Sequence, residues 1–103
     1  MLASERNFRI QLLVFVLVVI AAVALKVTQQ DFVVLLLISA VIFSLELINS
    51  AIERLADKIS PQYDQQIGVV KDMMAGAVLL ASIFASVIGL IIFYAPLLKV
   101  LQQ

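Results

Sequence analysis

The stretch FVVLLLISAVIFSLELINSAIERLADKI, Phe32–Ile59, decides the fold. Phe32–Phe43 carries no charge, while the second half holds Glu46, Asn49, Glu53 and Asp57. At 100° per residue these four polar side chains fall within an arc of about 80°. Leu47, Ile48, Ala51, Ile52 and Leu55 cover the other side. The reading is a membrane helix with a polar seam. About 28 residues make a helix roughly 42 Å long, against a hydrocarbon core of ~30 Å. Some 12 Å therefore protrudes, about the length that carries Glu53 and Asp57. Glu46 lies roughly 21 Å from Phe32, still inside the core. Ionisable groups at that depth are costly and face a bundle interior or a pathway.

The rest of the chain fits a membrane protein. It has 103 residues and is 64% hydrophobic, where soluble domains run at roughly 45–50%. Two more apolar segments are long enough to be read as spans, Gln11–Val27 and about Met73–Leu98. The expected architecture is all-α, one domain over residues 1–103, with helices at about 11–27, 32–59 and 73–98. Thr28–Asp31 is read as a tight link and 59–72 as a loop. Pro61 ends the second helix, because the residue before proline avoids the α region. Gly68 is read as a bend before the third helix. Arg6, Arg9, Arg54, Lys58 and Lys71 lie on one side, and only Lys26 and Lys99 on the other. That asymmetry places the N-terminus and the 59–72 loop on the cytoplasmic side of the membrane. With no cysteine and no histidine, acid–base or metal chemistry falls to carboxylates, lysine and tyrosine. Zero formal net charge gives no sign of a nucleic-acid partner.

Each candidate has a plainer reading. Asn49 and Ser50 can glue helices together. Glu53, Arg54, Asp57 and Lys58 alone would be a solvated helix end. Asp72 suits a helix start, whereas Lys71 there opposes the helix dipole and is better matched to an anion such as phosphate. Glu46 has no basic partner at its depth in the other two spans. Together the residues form an inventory. Glu5 and Glu53 are hard oxygen ligands for Mg²⁺, which takes one or two carboxylates plus phosphate and water. Lys71 can neutralise phosphate. Glu46, partly stripped of water, is a candidate base. This suits phosphoryl transfer to an alcohol at the membrane surface. The only glycines, Gly68, Gly76 and Gly89, form no P-loop and no kinase glycine loop.

ELINSAIE, Glu46–Glu53, followed by Asp57, Tyr63 and KDMMAGAVLLA from Lys71, resembles the small prokaryotic diacylglycerol kinase and undecaprenol kinase family. SERNFRIQ, Ser4–Gln11, matches too. The resemblance implies an integral-membrane lipid kinase, three spans per subunit, assembled as a homotrimer and using ATP. It implies Glu46 as general base supported by Asn49, and Glu5 and Glu53 as the Mg²⁺ ligands that hold ATP. It places Gln62, Tyr63, Asp64, Lys71 and Asp72 at the nucleotide. It places Asn7, Phe8, Arg9, Ile10 and Gln11, with Glu46 and Ala75, at the lipid. Three departures stand out. The family carries an amphipathic surface helix before the first span, and this sequence starts at the end of it. The family's Glu-Tyr-His reads Gln62-Tyr63-Asp64 here. Met74 stands where the family has a small residue. NFRIQ is nearer the undecaprenol-type members.

Two other readings stand beside the kinase. One is a transport or channel subunit lined by the stripe, which would also need polar residues in the outer half of the spans. The other is an impaired family member with a structural role.

Overall fold

The computed structural model describes the backbone of residues 2–60, 62 and 64–103, and side chains from Phe8 onward apart from positions 61 and 63. Three helices make up the fold: α1 Leu2–Ala24, α2 Gln29–Ile59 and α3 Gln65–Leu101. They form an elongated up-down-up bundle of 59 × 22 × 20 Å. α2 packs against both neighbours, more extensively against α3. Two of the three helices, α2 and α3, are long and apolar enough to cross a membrane, whereas the described apolar part of α1 is the shorter Phe8–Ala24.

The helix boundaries differ from the sequence reading, each for a local reason. α1 starts at Leu2 rather than near Gln11, because LASERNFRI contains neither glycine nor proline to stop it. It ends early, at Ala24. The Val27 amide donates to the Ala22 carbonyl and the Lys26 amide to the Val23 carbonyl, at 3.2 Å each. Lys26 has φ 58°. This is a Schellman stop with a lysine at the left-handed position that usually holds glycine. Val27 then packs onto the cluster that contains Ala22, the apolar contact that accompanies such a stop.

The expected link Thr28–Asp31 is mostly helix. Thr28 caps α2, its hydroxyl accepting from the Asp31 amide at 3.1 Å. The largest correction concerns α3, which begins at Gln65 and not near Met73. Asp64 is its cap, one carboxylate oxygen accepting from the Gln66 amide at 2.9 Å and the Ile67 amide at 3.3 Å. Gly68 is no bend. Its amide donates to the Asp64 carbonyl at 2.8 Å, inside the first turn. A glycine costs a helix about 1 kcal/mol, which a good cap offsets. Asp64→Ala is expected to cost about 1 kcal/mol. Hydrogen exchange should show it as faster exchange confined to Gln65–Gly68; unchanged protection there would refute the capping role.

The core is thin. Ala22, Leu35 and Ile92 are buried together near the α1–α2 turn, packed by Val18, Ile38, Ile88 and others. Ala56 is buried at the other end. Most large apolar side chains face outward, with Leu90 and Ile91 at 72% and 70% exposure. Water would not tolerate so much apolar surface on a monomer; lipid does.

Candidate active site

α2 is one unbroken helix from Gln29 to Ile59, so the spacing of Glu46, Asn49, Glu53 and Asp57 becomes a single face. Glu46 and Asn49 are half-buried; Glu53 and Asp57 are exposed. α3 runs back along α2, and Lys71 reaches Asp57 with Nζ–Oδ1 2.6 Å. The Lys71 side chain is 36% exposed and that of Asp57 67%. Solvent screens such a pair, so its value is placement more than stability. It fixes an ammonium at the watery end of the stripe, and Glu53 adds to the field there.

The correction to the start of α3 also changes the physics of Lys71. It lies two turns into the helix, where the dipole no longer acts. The hydrogen bond it donates to Asp57, with the charges of Asp57 and Glu53, lifts its pKa above the ordinary 10.5, against a smaller opposing effect of desolvation. A raised lysine pKa stabilises the fold fully below the unfolded value and loses that contribution as pH climbs through the raised one. Between pH 7 and 9 the pair should therefore hold. An Nζ chemical shift that titrates in that window would contradict it.

On the α1 side of α2 lies a cleft of about 490 Å³, lined by Phe8, Arg9, Glu46, Leu47, Ser50 and others including Arg54. Phe43, one turn before Glu46, ties the helices here, with ring centroids 5.7 Å from both Phe8 and Phe15. A larger groove of about 650 Å³ runs between all three helices, past Gln11, Phe15, Ser39, Phe43, Ser86 and Gly89. Two of its serines are satisfied within their own helices: Ser39 donates to the Leu35 carbonyl at 2.7 Å and Ser86 to the Ser82 carbonyl at 2.8 Å. Among the described residues, the buried amide oxygens of Gln11 and Asn49 accept no hydrogen bond. Buried acceptors normally have a donor, so both oxygens are free to take one from a bound molecule.

The structure brings Phe8, Arg9 and Glu46 around one cleft, and Glu53, Asp57 and Lys71 to one end of the stripe. Asp64 is turned into the α3 cap. Gln62 is exposed, its carbonyl accepting from the Ser60 hydroxyl at 2.8 Å. Ile10, Asp72 and Ala75 are exposed without a described polar partner of their side chains. The side chains of Glu5 and Asn7, and Tyr63 altogether, lie outside the described residues. Ser50 and Arg54 join the cleft although the seam was drawn through other residues. Their signal is the four-residue spacing Glu46–Ser50–Arg54, which sets them on one flank.

Two long apolar helices, a half-buried carboxylate and a charged cluster at the helix ends define an integral-membrane protein with its polar site at one end of the bundle. The chain belongs to the prokaryotic diacylglycerol kinase family, whose profile matches residues 1–93. It is 38% identical over 100 residues to a diacylglycerol kinase of Synechocystis sp., covering 96% of this chain and 57% of that one. It is 32% identical over 94 residues to an undecaprenol kinase of Bacillus subtilis, covering 91% and 76%. It is 33% identical over 92 residues to a diacylglycerol kinase of Escherichia coli, covering 89% and 75%. The chain thus spans little more than half the length of the first relative and about three-quarters of the others. No solved structure matches it.

Proposed function

We propose that the chain transfers the γ-phosphate of ATP to the hydroxyl of a membrane lipid alcohol, diacylglycerol or undecaprenol, at the cytoplasmic face of a bacterial plasma (inner) membrane. The observation that carries this is the alignment of Glu46, Asn49, Glu53 and Asp57 on one continuous helix, with Lys71 delivered to its watery end. Glu46 takes the proton of the lipid hydroxyl. Asn49, one turn along, supports Glu46 by donating its side-chain N–H to the oxygen of that hydroxyl. Lys71, seated beside Glu53 and Asp57, neutralises incoming phosphate. Glu46 and Glu53 are seven residues apart, roughly 10 Å, enough for a lipid at one end and a nucleotide at the other.

Mg²⁺ fits the donor set. Among the described residues no three carboxylates converge into a closed cage. An exposed Glu53, joined by Glu5, suits a cation held largely by phosphate oxygens and water. When bound, that ion would offset the negative charge of the phosphates during transfer. Gln62, Tyr63, Asp64 and Asp72 belong to the nucleotide side of this reading, and Asn7 to Gln11 with Ala75 to the lipid side. α1 also crosses the membrane here, and the exposed apolar faces of the helices are shared with two further copies in a homotrimer. The test is direct: purified protein in detergent, labelled ATP, Mg²⁺, and a panel containing diacylglycerol and undecaprenol. Label should appear in one lipid phosphate in preference to the others. No label in any lipid would sink the proposal.

A further inference from the structure

Glu46 borders two environments. Towards Glu53, Asp57 and Lys71 lies the proposed nucleotide side. Towards α1 lies the cleft with Arg9, Ser50 and Arg54. Nothing in the proposed reaction so far uses Ser50 or Arg54. We infer that this cleft is the seat of a lipid-borne phosphate monoester, with Arg54 as its specificity-determining residue; the inference rests on the lipid-phosphorylating role proposed above.

Ser50 and Arg54 follow Glu46 at successive four-residue steps, so all three occupy the flank of α2 that faces Phe8 and Arg9. Glu53 and Asp57 lie about one and two turns beyond Ser50 on the same helix and are not among the residues that line the cleft. In the transfer, the lipid O–H bond breaks and its proton passes to Glu46. The lipid oxygen bonds to the γ-phosphorus, and the bond from that phosphorus to the bridging oxygen breaks, its electron pair leaving with ADP. Among the described residues, the cleft holds two guanidinium cations and one carboxylate before this step. Afterwards Glu46 is neutral, and the two cations face a dianion. The cleft's charge thus rises to match the group that has just been made. Glu46 returns its proton to water when the product leaves. Guanidinium forks match phosphate oxygens in pairs, and a serine hydroxyl adds a donor. Leu47, Ala51 and Phe8 supply apolar wall for the lipid portion, and a volume of about 490 Å³ leaves room for both parts.

The experiment is equilibrium binding to the full chain in detergent, without nucleotide. The probe is dioctanoyl phosphatidate, with dioctanoylglycerol, inorganic phosphate and phosphatidylglycerol as competitors. Saturable phosphatidate binding is expected, weakened about tenfold in Arg54→Gln, the scale of a lost charge-assisted hydrogen bond. Arg54→Lys should fall between. Ser50→Ala should lose less, and serves in place of Arg54→Gln should that variant not fold. Equal binding by these variants and the parent overturns the inference. So does inorganic phosphate competing as well as phosphatidate, which would mark a free-phosphate site. So does phosphatidylglycerol competing as well, which would mark a general anionic-headgroup site. A chain that labels no lipid from ATP yet binds phosphatidate through Arg54 would fail the kinase proposal alone.

Discussion

Glu46→Gln is expected to slow phosphate transfer by about 10²–10⁴-fold, the usual worth of a positioned general base. The amide keeps the size of the carboxylate and its hydrogen-bonding reach. It cannot accept the lipid's proton. Far-ultraviolet dichroism and ATP binding should stay near those of the parent, because Glu46 lies about three turns from the Lys71–Asp57 pair and is not a buried partner of any described charge. Activity within a few fold of the parent would remove Glu46 from the chemistry. An ion flux in liposomes that vanishes in Glu46→Gln and ignores ATP would favour the transport reading instead.

Lys71→Met is expected to lower kcat/KM for ATP by about 10²–10³-fold, comparable to removing one fixed donor to a developing anion. Methionine keeps much of the stem and removes the charge. It also releases Asp57 from its 2.6 Å partner, so an unneutralised carboxylate then faces the incoming phosphates. Asp57→Asn separates the two effects. If Lys71 serves phosphate, Asp57→Asn should cost much less than Lys71→Met, and the double variant should resemble Lys71→Met. If Lys71 serves only to clasp α2 to α3, the two single variants should cost the same, which would refute its proposed role.

The seam on α2 was legible because a few polar residues on an apolar background show the 3.6-residue period without competition. The start of α3 was not. Two aspartates, Asp64 and Asp72, each follow the pattern of a helix cap, and Gly68 between them looked like punctuation. The difference lies in which carboxylate meets unpaired backbone amides, a fact of chain geometry: Asp64 meets those of Gln66 and Ile67. The partner of Lys71 is equally hidden in the sequence, since Asp57 and Lys71 are fourteen positions apart and only the reversal of the chain brings them together. Arg54 was hidden differently. A basic residue at the end of a membrane helix already has a use in setting topology, and only the packing of α1 shows that its flank is a cleft.

The early start of α3 makes it a single rod from Gln65 to Leu101. Its buried residue Ile92 anchors one end in the core. Lys71 is twenty-one residues away, roughly 31 Å. A helix in a bilayer adjusts its tilt to the thickness around it. By simple leverage, about 5° of tilt about Ile92 displaces Lys71 by roughly 2.7 Å, as far as the whole gap between its nitrogen and Asp57. The thickness of the surrounding lipid and the position of the Lys71 charge are therefore one mechanical variable in this molecule.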